Sequence, residues 1–325
     1  MGGDQGPRLV VKAVHAFLKS HPHVSATLVG DLPLLNSLLP EGSVGDRLRY
    51  RHAETAVSME QKAGRALRDG QSSSMWQAVE LVAEGEAQAC ISGGNTGALM
   101  AMGRKLVGTF DGVRRPAICK PIPTPRGSSF LLDLGANIEV SPEQLVQFAI
   151  MGAALATVYG RQSPSIALLN IGTELSKGSD SIQLAAQQLQ ARDDVNFAGF
   201  IEGHNLFDGR VDVIVCDGLV GNVALKVSEG VANFVFSSLR HELEKTVLSR
   251  AVALLVKPLL SGWRKKFDPA RYNGAAFLGL RKTLVKSHGG ADQLGFEHAL
   301  QTAVDQVQAR IPEKIQDCLE GGNNR

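Results

Sequence analysis

Several absences narrow this 325-residue chain before any motif is considered. Only 5% of its residues are aromatic, and only four are cysteine. Cys90, Cys119, Cys216 and Cys318 are widely spaced and form no CxxC pair, so neither a zinc site nor a disulfide framework is indicated, and a reducing cytoplasm is expected. Cys90 and Cys216 fall inside apolar runs, where a thiol is expected to be structural. The formal net charge is +2, which argues against the broad basic face of a nucleic-acid-binding protein. No apolar stretch reaches the roughly 20 residues that span a bilayer, and the first residues do not read as a secretory leader.

Familiar catalytic signatures are missing too. There is no GxGxxG for a dinucleotide and no GxSxG nucleophile elbow. The nearest approach to a phosphate-binding P-loop, GTELSKGS from Gly172 to Ser179, has Lys177 and Gly178 in reverse order, which excludes a standard triphosphate site. None of the eight histidines falls into HExxH or another compact ligand spacing, so no metal and no cofactor are expected. His15, His21, His23 and His52 are expected at the surface, whereas His288 follows the strand-like TLVKS and sits beside paired glycines, where it can face a crevice.

What the chain does have is a recurrent punctuation. Short apolar runs stop at clusters of Gly with Asn, Asp, Thr or Glu: CISGGNTG ending at Gly97, LLDLGAN at Asn137, ALLNIGTE at Glu174 and VIVCDGLVGN at Asn222. At the carboxyl ends of parallel strands such turns offer backbone N–H groups to an anion, and four of them predict one site built from many loops. The runs themselves, Val24 to Val29, Ala87 to Ser92, Phe130 to Leu134, Ile166 to Ile171 and Val211 to Cys216, are strand-like, and several are almost wholly apolar. That implies a mostly parallel sheet covered on both faces. The intervening segments have helical spacing: Met75, Val79 and Val82 form one stripe, and Leu145, Phe148, Ile150, Met151 and Leu155 another. The fold class is therefore a doubly wound, Rossmann-like three-layer α/β/α domain over residues 1–325. MGGDQGP at the amino terminus is a turn of the same kind with no strand before it, so the first strand is expected to be missing through a shortened start.

Individual turn residues allow more than one role. Gly93, Gly94 and Gly97 bracket Asn95 and Thr96 before an apolar stretch, placing donors where phosphate or carboxylate binds well, although such turns also serve as plain caps. Lys177 can neutralise an anion or a developing oxyanion, and equally can be a solvated loop lysine. Asn222 can cap the helix that follows or donate to a substrate carbonyl. That helix, from Val223 to about Leu248, carries Val227, Val231, Phe234, Val235 and Leu239 at helical spacing. It leads into AVALLVKPLLSGWRKKF, residues 251–267, where an apolar run meets Trp263 and three cations. Residues 236–275 thus read as an inserted helical arm for dimer contact, for a membrane surface, or for both.

Taken in order, the turns resemble a known family. MGGDxGP, SSM from Ser73, SGGNTGALM from Ser92, DLGAN from Asp133, NIGTE with Lys177 and Gly178, DGLVGN from Asp217, RYNGA from Arg271 and KSHGGAD from Lys286 look like the phosphate acyltransferases of bacterial phospholipid synthesis. The departure is at the amino terminus, where that family has a strand before MGGD. The resemblance implies transfer of a long-chain acyl group from acyl carrier protein to inorganic phosphate, giving acyl phosphate for a membrane-embedded glycerol-phosphate acyltransferase. It assigns Lys177 and Asn222 to catalysis, and Asp4, Gly93, Gly94, Asn95, Thr96, Asn137, Gly172, Glu174, Asp217 and His288 to the substrates. It favours a homodimer in the cytoplasm, peripheral on the inner face of the membrane through Leu254, Leu255, Leu260, Trp263, Lys265 and Lys266. Arg240, Lys245, Arg264, Lys265 and Lys266 are candidates for docking the acidic carrier. The competing readings are a coenzyme A-dependent phosphotransacetylase-like enzyme, a decarboxylating dehydrogenase of related architecture, and a non-catalytic membrane scaffold.

Overall fold

The computed structural model describes residues 2–38, 44–246 and 269–321, together with the single positions 249, 253, 256 and 262. The sequence alternation reappears as α1 Gly6–Ser20, β1 Ala26–Gly30, α2 Leu32–Ser37, β2 Leu48–His52, α3 Ala63–Asp69, α4 Ser74–Ala83, β3 Ala89–Ser92, α5 Thr96–Leu106, β4 Ala117–Thr124 and β5 Gly127–Leu132. There follow α6 Pro142–Val158, β6 Ile166–Asn170, α7 Asp180–Gln190, β7 Phe197–Glu202, β8 Val213–Val215, α8 Gly218–Glu244, β9 Ala275–Leu278, β10 Thr283–Lys286, α9 Gln293–Gln308 and α10 Ile311–Gly321.

Eight strands form one sheet in the order β3-β10-β9-β4-β5-β8-β6-β7. The pairs β3/β10, β5/β8, β8/β6 and β6/β7 are parallel, while β10/β9, β9/β4 and β4/β5 are antiparallel. Alternation along each strand feeds two cores. Phe130 and Leu132 join Leu145, Phe148, Ile166, Val213 and Val215 on the side of α6, α7 and α10. Leu131 instead joins Ala98, Leu99, Ile118, Phe277 and Leu284 on the side of α4, α5 and the base of α8. Both faces are dry, which is why the strands read as continuous apolar runs.

Strand β4 went unread in the sequence because Pro121 and Pro123 argue against a central strand. The register explains their presence. Strand β9 pairs with β4 only at Ala117, Ile118 and Cys119, so both prolines lie beyond it, on an edge that needs no N–H donor. The expectation for His15 is corrected: it is 6% exposed, on the buried face of α1 beside Val11, Val14 and Leu18.

Strands β1 and β2 form a separate two-stranded parallel sheet. Helix α4 packs on both β1 and β3 from one side, with α1 against β1 and α9 against β3 on the other. Between β1 and β3 lies a cavity of about 560 Å³, lined by both strands together with Gly2, Val14, Met75 and Phe296. Each strand presents it with a backbone edge that has no ladder partner among the described strands. Backbone donors and acceptors on such open edges demand hydrogen bonds, so the cavity has the geometry of a strand position. Of the proposed 236–275 arm, residues up to Glu244 complete α8 and Pro269–Tyr272 form a 3₁₀ turn. Leu254, Leu255, Leu260, Trp263, Arg264, Lys265 and Lys266 lie outside the described residues.

Candidate active site

The turns assemble into two groups. Because three antiparallel pairings separate β10 from β5, the turns after β3 and β10 leave the sheet in the sense opposite to those after β5, β6 and β8. The turns thus form two lips, one after β3 and β10 and one after β5, β6 and β8.

The first lip joins residues 2–4, 92–95 and 287–290. The Asp4 N–H donates to Gly289 O at 2.9 Å, and the Ser287 N–H donates to Ser92 O at 2.9 Å. Glycine is required where these backbones touch: Gly3 has φ +92°, and a Cβ there would sit 3.2 Å from Gly93 O and 3.3 Å from Gly289 O. Asn95 caps α5, its Oδ1 accepting from Ala98 N at 3.0 Å. Its Nδ2 donates to the Ser58, Met59 and Gln61 carbonyls, which fastens the 58–61 loop over the turn. Asn95 is thus placed as a structural tie, with Thr96 beside it in the first turn of α5. His288 is exposed and accepts from Gly290 N at 3.1 Å through Nδ1, an arrangement that assigns the ring proton of the neutral imidazole to Nε2. Asn273, from RYNGA, holds this loop by accepting from His288 N and donating to Ser287 Oγ and Gly295 O.

The second lip is organised by a buried carboxylate. Asp133 is 0% exposed and accepts from Ile118 N, Ala136 N, Asn137 N and Asn137 Nδ2. Burial raises its pKa, and the four donors offset part of that rise. Asn137 is equally buried and gives its amide nitrogen to Asp133 and to Pro116 O, while its buried Oδ1 has no hydrogen-bond partner among the described residues. Asp217 caps α8, its Oδ1 accepting from Val220 N at 2.8 Å. The cap is therefore Asp217, and the Asn222 side chain is left without a hydrogen-bond partner among the described residues, half-buried against Gly135. On the next strand Asn170 donates to Lys177 O at 3.1 Å and closes the 171–178 loop. Within that loop Gly172 is buried beneath Glu174 and Lys177, whose charged ends are exposed and unpaired among the described residues. Around this lip stand six exposed apolar side chains: Ile138, Ile171, Leu175, Leu219, Val220 and Val223. A patch of that kind beside unpaired polar groups marks a binding surface for something apolar.

The structure thus brings together Asp4, Gly93, Gly94, Asn95, Thr96 and His288 in one group, and Asn137, Gly172, Glu174, Lys177, Asp217 and Asn222 in the other. Sequence reasoning overlooked Lys286, Asn273 and Asp133 as individuals, although each lies in one of the quoted motifs. The three buried thiols are poorly placed to act as nucleophiles. Burial pushes Cys90 up to about 12, and Cys119 and Cys216, also buried, are raised well above the usual range.

Comparison with known proteins decides the family. Residues 1–314 match the profile of the family described as fatty acid synthesis protein. A phosphate acyltransferase from Teredinibacter turnerae is 61% identical over 319 residues, covering 98% of this chain and 97% of that protein. Another from Saccharophagus degradans is 56% identical, covering 98% and 94%. This chain belongs to the phosphate acyltransferase family. It is an acyltransferase, and its family places it in fatty acid and lipid synthesis. The phosphate acyltransferase fold extends to more distant proteins. A phosphotransacetylase from Staphylococcus aureus has a TM-score of 0.59 at 15% identity, covering 93% of this chain and 91% of that one. A putative 4-hydroxythreonine-4-phosphate dehydrogenase from Salmonella typhimurium has a TM-score of 0.54 at 14% identity, covering 94% and 97%. At such identities the likeness is one of fold alone.

Proposed function

We propose that this acyltransferase moves a long-chain fatty acyl group from the thioester of acyl carrier protein to inorganic phosphate, releasing acyl phosphate and the free carrier thiol. The observation that carries the reading is the second lip: Lys177 and Asn222, whose side chains have no hydrogen-bond partner among the described residues, share it with exposed apolar side chains. A fatty acyl thioester has this duality, an apolar chain ending in a polarised carbonyl. Lys177 neutralises the oxyanion that forms when phosphate attacks, and Asn222 donates to the same carbonyl oxygen. Phosphate at neutral pH is already an anion, so no strong general base is required, and the departing thiolate is a stable leaving group with a free-thiol pKa of about 8.5. Attack is direct, because a buried thiol with a raised pKa does not supply a nucleophilic thiolate.

Phosphate is held at the first lip by the turns at 2–4, 93–96 and 287–290. Attack requires the phosphate oxygen about 3–3.5 Å from the carbonyl carbon, so the reading requires the lips to close on their two substrates. The exposed stripe of α8, with Val227, Val231, Phe234 and Val235, pairs two copies of the chain. By length and composition α8 could cross a membrane, but an ion pair between Glu229 and Lys120 of β4 supports a surface position instead. The 251–267 segment supplies peripheral contact with the inner face of the cell membrane, where the acyl phosphate passes to an integral acyltransferase.

The test is turnover of acyl carrier thioester with radiolabelled phosphate. Lys177→Ala and Asn222→Ala should each lower kcat by at least about 10²-fold, the usual cost of removing one oxyanion donor. Wild-type rates in both folded variants would remove the assignment, and a trapped acyl-cysteine would remove direct attack.

A further inference from the structure

We infer that Lys286 is the cation that binds inorganic phosphate at the first lip, the neighbouring Lys120 on the same floor being paired with Glu229. The inference rests on the reading that the first lip holds phosphate, and adds the residue that supplies its charge. The argument starts from register. Lys286 ends β10, pairing with Ser92 on one side and Ala275 on the other. Lys120 lies one step beyond the Cys119–Ala276 pair of β4 and β9, which puts it in the same row, opposite Leu131 on β5. Residues in one row of a sheet point to one face, and here it is the face of α5 and α8, where Leu131 packs. Two lysines therefore stand on one floor with Ala275 between them, at about twice the 4.8 Å strand spacing.

Their partners differ. Lys120 Nζ meets Glu229 Oε1 at 3.4 Å, so its charge is already paired. The Lys286 ammonium donates to two main-chain oxygens, Gly93 O at 3.3 Å and Ser287 O, and makes no ion pair among the described residues. Asp4 is near enough for its field to favour the charged form, yet it forms no salt bridge with Lys286. A half-buried ammonium tied only to carbonyls keeps an uncompensated charge, a costly arrangement that a bound anion relieves. It stands where the three glycine turns meet, and Gly3, Gly93, Gly94 and Gly289 keep the surrounding wall free of side chains. Burial also pushes the Lys286 pKa down to about 8, so the amine is still mainly protonated at neutral pH.

The experiment measures inorganic phosphate binding by calorimetry, and steady-state kinetics with phosphate as the varied substrate, on the full chain. Lys286→Gln keeps a donor for the two carbonyls and removes the charge. It should weaken phosphate binding and raise the phosphate KM by at least about tenfold, the order expected for one charge-assisted hydrogen bond, with kcat changed less than about threefold. Lys286→Arg, which restores the charge, should recover most of the affinity. Unchanged phosphate affinity in a folded Lys286→Gln variant overturns the inference, and so does an arginine variant no better than glutamine. Should the glutamine variant fail to fold, wild type against Lys286→Arg carries the test, and an arginine variant that folds without binding phosphate overturns it. A wild-type protein that binds phosphate through Lys286 but transfers no acyl group would defeat the proposed reaction and leave this assignment standing.

Discussion

The Lys120 ammonium of β4 and the Glu229 carboxylate of α8 form an ion pair at 3.4 Å, with side chains only 12% and 27% exposed. The pair fastens α8, three turns from its start, to the antiparallel strands between the two lips. Burial lowers the Lys120 pKa, and Glu229 opposes that fall. Removing the carboxylate while keeping its shape, as Glu229→Gln, leaves a buried charge with a weaker partner. The expected loss is about 1–3 kcal/mol by urea unfolding. Combining Lys120→Met with Glu229→Leu should recover most of it, because replacing both partners removes the desolvation penalty as well as the attraction.

Two glycines of α8 should respond in opposite directions to the same substitution. A Cβ on Gly221 would lie 1.9 Å from Asp133 O and 2.8 Å from Cys216 Sγ, whereas one on Gly230 meets nothing within 4 Å. Gly221→Ala must push the helix off the turn that Asp133 organises, costing about 3 kcal/mol. Gly230→Ala should stabilise by about 0.5–1 kcal/mol, because alanine loses less backbone entropy in a helix. Equal effects by thermal unfolding would contradict this placement of α8 against the second lip.

How much of this was legible beforehand varies with the physics of each signal. Continuous apolar runs announce strands covered on both faces, and Phe130 to Leu132 illustrate it by feeding two cores on alternate residues. Strand direction leaves no such trace: nothing in ALLNIGTE says that β6 runs against β10, so the four turns read as one crevice and the structure divides them. Lys286 was passed over inside KSHGGAD because its burial and its lack of an acidic partner depend on β3 and the amino-terminal turn, distant in sequence. Asn95 and Asn137 read as ligands since their chemistry suits an anion. In the structure, carbonyls from the 58–61 loop and from Pro116 occupy their amides.

The depressed pKa of Lys286 makes a prediction for stability as well as for binding. An unfolded lysine titrates near 10.4 and the folded one near 8, so between these values the unfolded chain holds more protons. Stability attributable to this residue therefore rises with pH across that window and is flat below it, where both states are protonated. The difference in unfolding free energy between wild type and Lys286→Met should climb by on the order of 2 kcal/mol from pH 8 to 10.4. A difference that stays constant with pH would mean that the amine is not desolvated.

The outer stripe of α8 separates assembly from folding. Val227, Val231 and Phe234 are 58%, 56% and 69% exposed, so changing them removes little packing within one chain. If two copies pair along this stripe, Val231→Arg with Phe234→Arg places like charges across the contact and should turn a dimer into a monomer by sedimentation equilibrium. The melting of the isolated chain should move by less than about 1 kcal/mol equivalent, as for other exposed positions. Vesicle binding, measured on the same variant, should weaken without being abolished, because pairing two copies doubles the anchoring area without creating it. An unchanged mass would show that the stripe is covered by something other than a second copy. Lost vesicle binding with the mass intact would move α8 itself to the membrane surface.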